Sequence, residues 1–418
     1  MKTRHGRSRE FLKLWTVPGR LLKRENSGER PVAAPNRRYQ VLVSLNLANH
    51  YPLFEPLVHV LAEYEDIDIF YADPGKPSIA PDNLLAPYED VPGRSVALSS
   101  VAWKSWDLLL ECSFVSCITL LARVKNSAQI FHGVAHKWLV NGQNITFHYR
   151  LKDYDLVAAL SQQHFNTLQA SPVLKSPEVL RCVGYPKLDR LASGKVGRDE
   201  VLHSYGADPS KPTVLYAPSW NAELSLQQIG VQLLEALATS ENHTLLVKLH
   251  PMSLKTGDSV RKISSEIKEM NWDPRLKDAQ KKGQLIYLVD HDTCRYLAAA
   301  DILVTDHGST PFEFMLTGRP IVYFDSEAAR RNASDPDSLP LLLEAVHPFS
   351  HATEAAATVQ GLLTGAIDDA TKREAKAQLV EERFANPGGA TELLKQACLE
   401  LIGHPSSSNA LNSLIADT

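Results

Sequence analysis

Four short segments of this 418-residue chain set histidine, hydroxyl or amine side chains beside glycine or proline, each directly after an apolar run. The first is Phe131-His132-Gly133, with Lys137 four residues beyond the glycine. The second is Ala217-Pro218-Ser219-Trp220, and the third is Leu249-His250-Pro251. The fourth is Asp306-His307-Gly308-Ser309-Thr310, with Glu313 one turn further on. Imidazole is the side chain best matched to proton transfer near neutral pH, and Pro251 biases His250 toward an extended backbone that ends its strand. Ser309 or Thr310 can cap a following helix, whose first amides attract phosphate. Together these residues point to a bound anion, such as the diphosphate of a nucleotide-activated donor, flanked by groups that move protons or stabilise charge. Each segment alone also has a plain reading. His132 can be a hydrogen-bonded histidine under a loop, His250 a solvent-facing strand end, Trp220 a packing residue, Lys137 a solvated cation, and Ser309 an ordinary cap.

The elements that would carry these turns alternate along the chain. Strands are expected at 40–45, 67–71, 107–112, 128–132, 155–160 and 179–183, with a helix from 49 to about 64. A charged, Gly- and Ser-containing stretch after Gly184-Tyr185-Pro186-Lys187-Leu188-Asp189 reads as a linker ending at Pro212. The pattern then restarts. Strands are expected at 213–216, 244–248, 285–289, 301–305 and 321–324, and helices at 226–238, 260–270, 293–300 and 311–317. Gly318 is placed to stop the last of these helices. Such alternation predicts an α/β chain with two Rossmann-like domains facing across a cleft. The expected divisions are a leader over 1–38, domains over 39–195 and 205–385, and a C-terminal helix and mobile tail over 386–418.

Composition narrows the compartment and the partners. Residues 1–38 carry eleven Lys or Arg against three Glu, which is +8 of the formal net charge of -4 and leaves -12 for the remainder. An acidic body repels phosphate backbones, so nucleic acid is not an expected partner. In the leader, Phe11, Leu12, Leu14, Trp15, Leu21 and Leu22 are interspersed with Lys13, Arg20, Lys23 and Arg24. That pattern fits either an anionic membrane surface or a disordered basic tail broken at Pro18-Gly19. No apolar run approaches the roughly 18 residues of a bilayer span, and no secretory signal is evident. The five cysteines include no C-x-x-C pair. A reduced, cytoplasmic protein is expected, peripheral on the inner face of the membrane if the leader binds there, without metal or cofactor.

The four turns, in this order, resemble the CDP-glycerol glycerophosphotransferases of teichoic-acid and capsule synthesis, a family with the GT-B fold. His132-Gly133 with Lys137 is similar to that family's WHG-x-x-x-K pattern, and Gly184-Tyr185-Pro186 with Asp189 to its GYPR-x-D. Tyr216 to Trp220 matches YAPTW, Lys248 to Pro251 matches K-x-HP, and Asp301 to Pro320 matches AD-x-LITDYSS…RP. Phe384 to Ala390 is loosely similar to the family's C-terminal F-x-x-x-DG segment. The resemblance covers roughly residues 128–325. Phe131 stands where the family has Trp, Val134-Ala135-His136 replaces Thr-Pro-Leu, and His307-Gly308 replaces Tyr-Ser.

This resemblance implies an acceptor-binding first domain and a nucleotide-donor second domain. His132 becomes the base, or the oxygen-orienting group, at the acceptor hydroxyl, with Gly133 and Lys137 on the acceptor side. His250 becomes the group at the donor phosphates, while Ser219, His307, Gly308, Ser309 and Thr310 line the donor site. Glu313 falls near the donor's glycerol or ribose end. The implied partners are a CDP-linked donor and a polymer or lipid-linked acceptor, with glycerol phosphate or a related polyol phosphate transferred. Two alternatives stay open. Gly308 resembles the turn of UDP-sugar epimerases and transferases, so a UDP- or CMP-sugar enzyme is one. A membrane-held scaffold of the same fold, without turnover, is the other.

Overall fold

The central strands lack polar alternation because helices cover both of their faces. Every residue of Leu108–Glu111, Ser127–Ile130 and Leu156–Ala159 is buried, as is every residue of Ile302–Thr305 and Ile321–Phe324. The structure, a computed structural model, describes residues 37–101, 103–114, 123–131, 133, 139–140, 143–144, 148–239, 242–254, 272–289, 291–331 and 337–407. The expected helix at 260–270 lies outside these residues, as do His132, Lys137, most of the leader and the last eleven residues.

Two parallel sheets follow one another along the chain. In the first, the strand order is Arg94–Ser95, Ile67–Ala72, Tyr39–Ser44, Leu108–Glu111, Ser127–Ile130, Leu156–Ala159 and Leu180–Cys182. In the second it is Ile286–Tyr287, Thr244–Val247, Thr213–Ala217, Ile302–Thr305, Ile321–Phe324 and His347–Phe349. All pairings within both sheets are parallel. Each order reverses direction once, beside its first strand, as in a doubly wound Rossmann sheet. Ligands of such sheets sit outside the carboxyl ends of the strands at that reversal. In the second sheet the reversal lies between Thr213–Ala217 and Ile302–Thr305, the strands that deliver Ser219 and His307.

The stretch expected as the interdomain linker is packed. It forms short helices at Asp189–Ala192 and Arg198–Ser204 and buries Leu191, Val201 and Leu202. These apolar side chains join a core that continues from the first sheet to Leu215 and Leu297 of the second half. Arg198 donates to Asp301 at 2.7 Å, tying this segment to the amino ends of the second sheet's central strands.

The chain then returns to where it began. Helix Ala390–Ile402 packs against helix Tyr51–Ala62 and strand Leu156–Ala159 of the first half. The Tyr39 hydroxyl donates to the carbonyl of Gly403 at 3.3 Å, and His404 Nε2 lies 3.1 Å from Asp66. The amino end of this last helix is capped from a distance. Asp189 accepts from the amides of Gly388, Ala390 and Thr391 at 3.0, 3.2 and 2.6 Å. A carboxylate there satisfies orphan helix amides and complements the helix dipole. Gly184, five residues earlier, has φ +103° and so close a neighbour in the Ala385 carbonyl that a Cβ would stand 2.1 Å from its oxygen. The Gly184-to-Asp189 motif is therefore, in part, the seat of the returning chain.

Candidate active site

Asp306, at the end of strand Ile302–Thr305, organises the donor-side turns. Its carboxylate accepts from the Ser219 amide at 2.7 Å, the Ser225 amide at 3.0 Å and the Ser225 hydroxyl at 2.5 Å. These bonds fasten the turn after strand Thr213–Ala217 and the start of helix Ser225–Ala238 to the neighbouring strand end. The Tyr216 hydroxyl lies 3.0 Å from Ser225 Oγ, and Thr305 Oγ1 donates to the Ala217 carbonyl at 2.7 Å. Full burial pushes the Asp306 carboxyl up to about 6, against the hydrogen bonds that hold it down. Sequence reading placed Asp306 in this turn and gave it no role. The available signal was a carboxylate directly after a predominantly apolar strand.

The turn that follows opens toward the crevice. Gly308 has φ +148°, a conformation that favours glycine, and a Cβ there would meet nothing within 4 Å. His307 Nδ1 is 2.5 Å from the Tyr323 hydroxyl, which aligns its ring against the next strand. Ser309 occupies the cap position of helix Thr310–Met315, but in helical conformation and with no side-chain capping bond. The expectation of a capping hydroxyl is thus corrected: at ψ -25° the backbone has already entered the helix. Pro311, whose fixed φ suits a first turn, helps to start it.

Across the crevice stands the first half. A Cβ on Gly133 would lie 3.2 Å from Ser309 Oγ, so the turn after strand Ser127–Ile130 reaches the donor-side turn itself. Phe131, next to His132 in sequence, is buried edge-on against His164 with ring centroids 4.6 Å apart. His132 and Lys137 themselves lie outside the described residues.

His250 is half-buried at the turn after strand Thr244–Val247, its ring 6.4 Å from that of Trp220. The Met252 amide donates to His250 Nδ1 at 3.1 Å. An accepting Nδ1 leaves Nε2 as the protonated nitrogen of the neutral ring, a donor suited to a phosphate oxygen. Trp220, Ser219 and His250 therefore come together at one end of the second sheet, beside the Asp306-to-Thr310 turn. Glu313 is buried, and both of its carboxylate oxygens accept from Lys187 Nζ, at 3.1 and 3.2 Å. Lys187 was not among the expected site residues; it stands where the GYPR-x-D pattern carries Arg. Among the described residues no group of three His, Cys, Asp or Glu side chains gathers as around a metal ion.

Two doubly wound sheets whose histidine, serine and glycine turns meet at their carboxyl edges define a protein of the GT-B type. Within that class the chain belongs to the CDP-Glycerol:Poly(glycerophosphate) glycerophosphotransferase family, which residues 121–386 match. Over 176 residues it is 26% identical to the teichoic acid glycerol-phosphate primase of Bacillus subtilis (strain 168), across 41% of this chain and 39% of the primase. The corresponding primase of Bacillus spizizenii (strain ATCC 23059 / NRRL B-14472 / W23) is 29% identical over 155 residues, 35% of each chain. The chain thus spans well under half the length of these curated relatives. Among solved structures, a variant of the wall teichoic acid polymerase TagF aligns with a TM-score of 0.62 at 15% identity, over 88% of this chain and 90% of that one. The S. aureus MnaA-UDP co-structure aligns at 0.55 and 13%, over 87% and 97%. At such identities the likeness is one of fold.

Proposed function

We propose that this protein transfers glycerol phosphate, or a related polyol phosphate, from a CDP-linked donor to a hydroxyl of a cell-surface polymer or lipid-linked acceptor. The observation that carries the reading is the approach of Gly133, the residue that follows His132 in sequence, to Ser309 of the donor-side turn. Support also comes from the family and from a solved structure of the TagF polymerase soaked with CDPG, which shares this fold at a TM-score of 0.63.

In this reaction the acceptor oxygen attacks the phosphorus that bears glycerol. A new P–O bond forms, the bridging P–O bond to the CMP phosphate breaks, and CMP leaves. His132 takes the proton of the attacking hydroxyl. His250 donates from Nε2 to the leaving phosphate, while Ser309, Thr310 and the open backbone at Gly308 hold the diphosphate. Such a transfer needs positioned charge and a base more than covalent chemistry. Ser219 and His307 complete the donor wall, with Lys137 assigned to acceptor phosphate.

Nucleotide binding tests the donor. CDP or CMP is expected to raise the melting temperature more than UDP at equal concentration, and CMP is expected to appear when CDP-glycerol and an acceptor are supplied. A larger shift with UDP would instead favour a nucleotide-sugar enzyme of this fold, the reading that Gly308 supports. No shift with any nucleotide would leave a scaffold.

The basic leader supplies the second part of the proposal, association with an anionic membrane surface. No helix among the described residues is long and apolar enough to cross a membrane. Deleting residues 1–36 is expected to release the protein from vesicles rich in phosphatidylglycerol without lowering its melting temperature. Undiminished vesicle binding after the deletion would reject the leader as the anchor.

A further inference from the structure

The buried ion pair between Lys187 and Glu313 joins residues 126 positions apart, one in each half of the molecule. Lys187 sits in the turn Pro186–Leu188, just after the last strand of the first sheet. Glu313 sits in helix Thr310–Met315, directly after the turn that faces Gly133. The side chains are 17% and 5% exposed, so water screens the pair little. The Lys187 turn is itself fixed. Its carbonyl accepts from Cys294 Sγ at 3.1 Å, Gly184 is pressed against Ala385, and Asp189 holds the returning helix. A rigid first-half turn therefore grips the short helix whose preceding residues line the crevice.

We propose that Lys187 and Glu313 are a positioning pair, which sets the donor-side helix at its working distance from the acceptor-side turn without touching donor or acceptor. This rests on the reading above in which Ser309 and Thr310 hold donor phosphate. It gives Glu313 a different task from contact with the donor's glycerol or ribose. With only 3.2 Å between a Cβ at 133 and Ser309 Oγ, a small rotation of the helix alters the gap in which the transfer occurs. The Arg of the GYPR-x-D pattern makes the same sense, because a guanidinium can grip a carboxylate with two parallel bonds.

Lys187→Met, Lys187→Arg and Glu313→Gln variants of the full chain test this. For Lys187→Met and Glu313→Gln, kcat with CDP-glycerol is expected to fall at least tenfold, while the Kd for CDP-glycerol, measured without acceptor, stays within twofold of the parent. Lys187→Arg should keep kcat within threefold, which separates lost positioning from general damage at residue 187. Amide hydrogen exchange over residues 310–315 should quicken in Lys187→Met and not in Lys187→Arg. A CDP-glycerol affinity that falls in step with kcat would overturn the proposal and make Glu313 a donor contact. Unchanged kcat and exchange in Lys187→Met would overturn it as well. If the parent proves inactive with CDP-glycerol, the donor reading fails by itself. The exchange comparison then still decides whether the pair holds the helix.

Discussion

His250→Ala is expected to lower turnover by about 10³-fold while the melting temperature stays within about 2 °C of the parent. The small structural effect follows from what the ring touches. It is half-buried at a turn, lies 6.4 Å from the Trp220 ring and accepts the Met252 amide at 3.1 Å. Water can replace that bond at a half-exposed turn. The catalytic effect follows from charge. As the P–O bond to CMP breaks, negative charge gathers on the leaving oxygen, and a donor already aimed there stabilises the transition state more than the ground state. His132→Ala is expected to have a loss of similar size at the acceptor hydroxyl. The double variant should be little worse than either single one, because groups that act as one unit do not add. Single-turnover measurements with saturating CDP-glycerol separate these losses from weakened binding. A parent-like rate in either variant would remove that histidine from the mechanism.

The turns were legible in sequence because Gly, Pro and His punctuate apolar runs, and the runs were legible because the strands are buried on both faces. Ile321–Phe324 coincides with expectation residue for residue, and Thr213–Ala217 differs by one. Strands Arg94–Ser95 and His347–Phe349 escaped notice. Each is two or three residues long at a sheet edge, and such a length sets no periodicity. The short helices within Asp189–Ser204 escaped notice for a related reason: the segment's charged surface hid Leu191, Val201 and Leu202, which the tertiary core claims. Within the site, local motifs gave the side chains and could not give their partners. Asp306 meets Ser219 and Ser225 across 87 and 81 residues, and Lys187 meets Glu313 across 126. Only the order of the sheets brings such residues together. Ser309 shows the opposite failure. Its type fits a cap, yet the backbone turns helical one residue early and leaves its hydroxyl beside Gly133.

Asp306→Ala is expected to cost about 3–5 kcal/mol, because the buried amide and hydroxyl of Ser225 and the half-buried amide of Ser219 lose their acceptor together. Donor affinity should fall with it, since the Ser219 turn loses its tie to the strand that carries Gly308 and Ser309. Asp306→Asn is the sharper test. Its one carbonyl oxygen can serve Ser219, but its NH₂ group then faces the Ser225 amide, donor against donor. The pH dependence has a definite sign. Burial raises the folded carboxyl to about 6 from an ordinary 3.8, so the folded state holds this proton more tightly than the unfolded chain. The resulting stability is complete below about pH 4 and is lost as pH rises through 6, by roughly 3 kcal/mol. Asparagine has no proton to lose. The advantage of the parent over Asp306→Asn should therefore be largest at about pH 4 and shrink steadily toward pH 7. Urea unfolding of both proteins across that range measures it. A gap that stays constant with pH would show that the three hydrogen bonds outweigh burial and keep Asp306 ionised throughout, a fixed anion at the head of helix Ser225–Ala238.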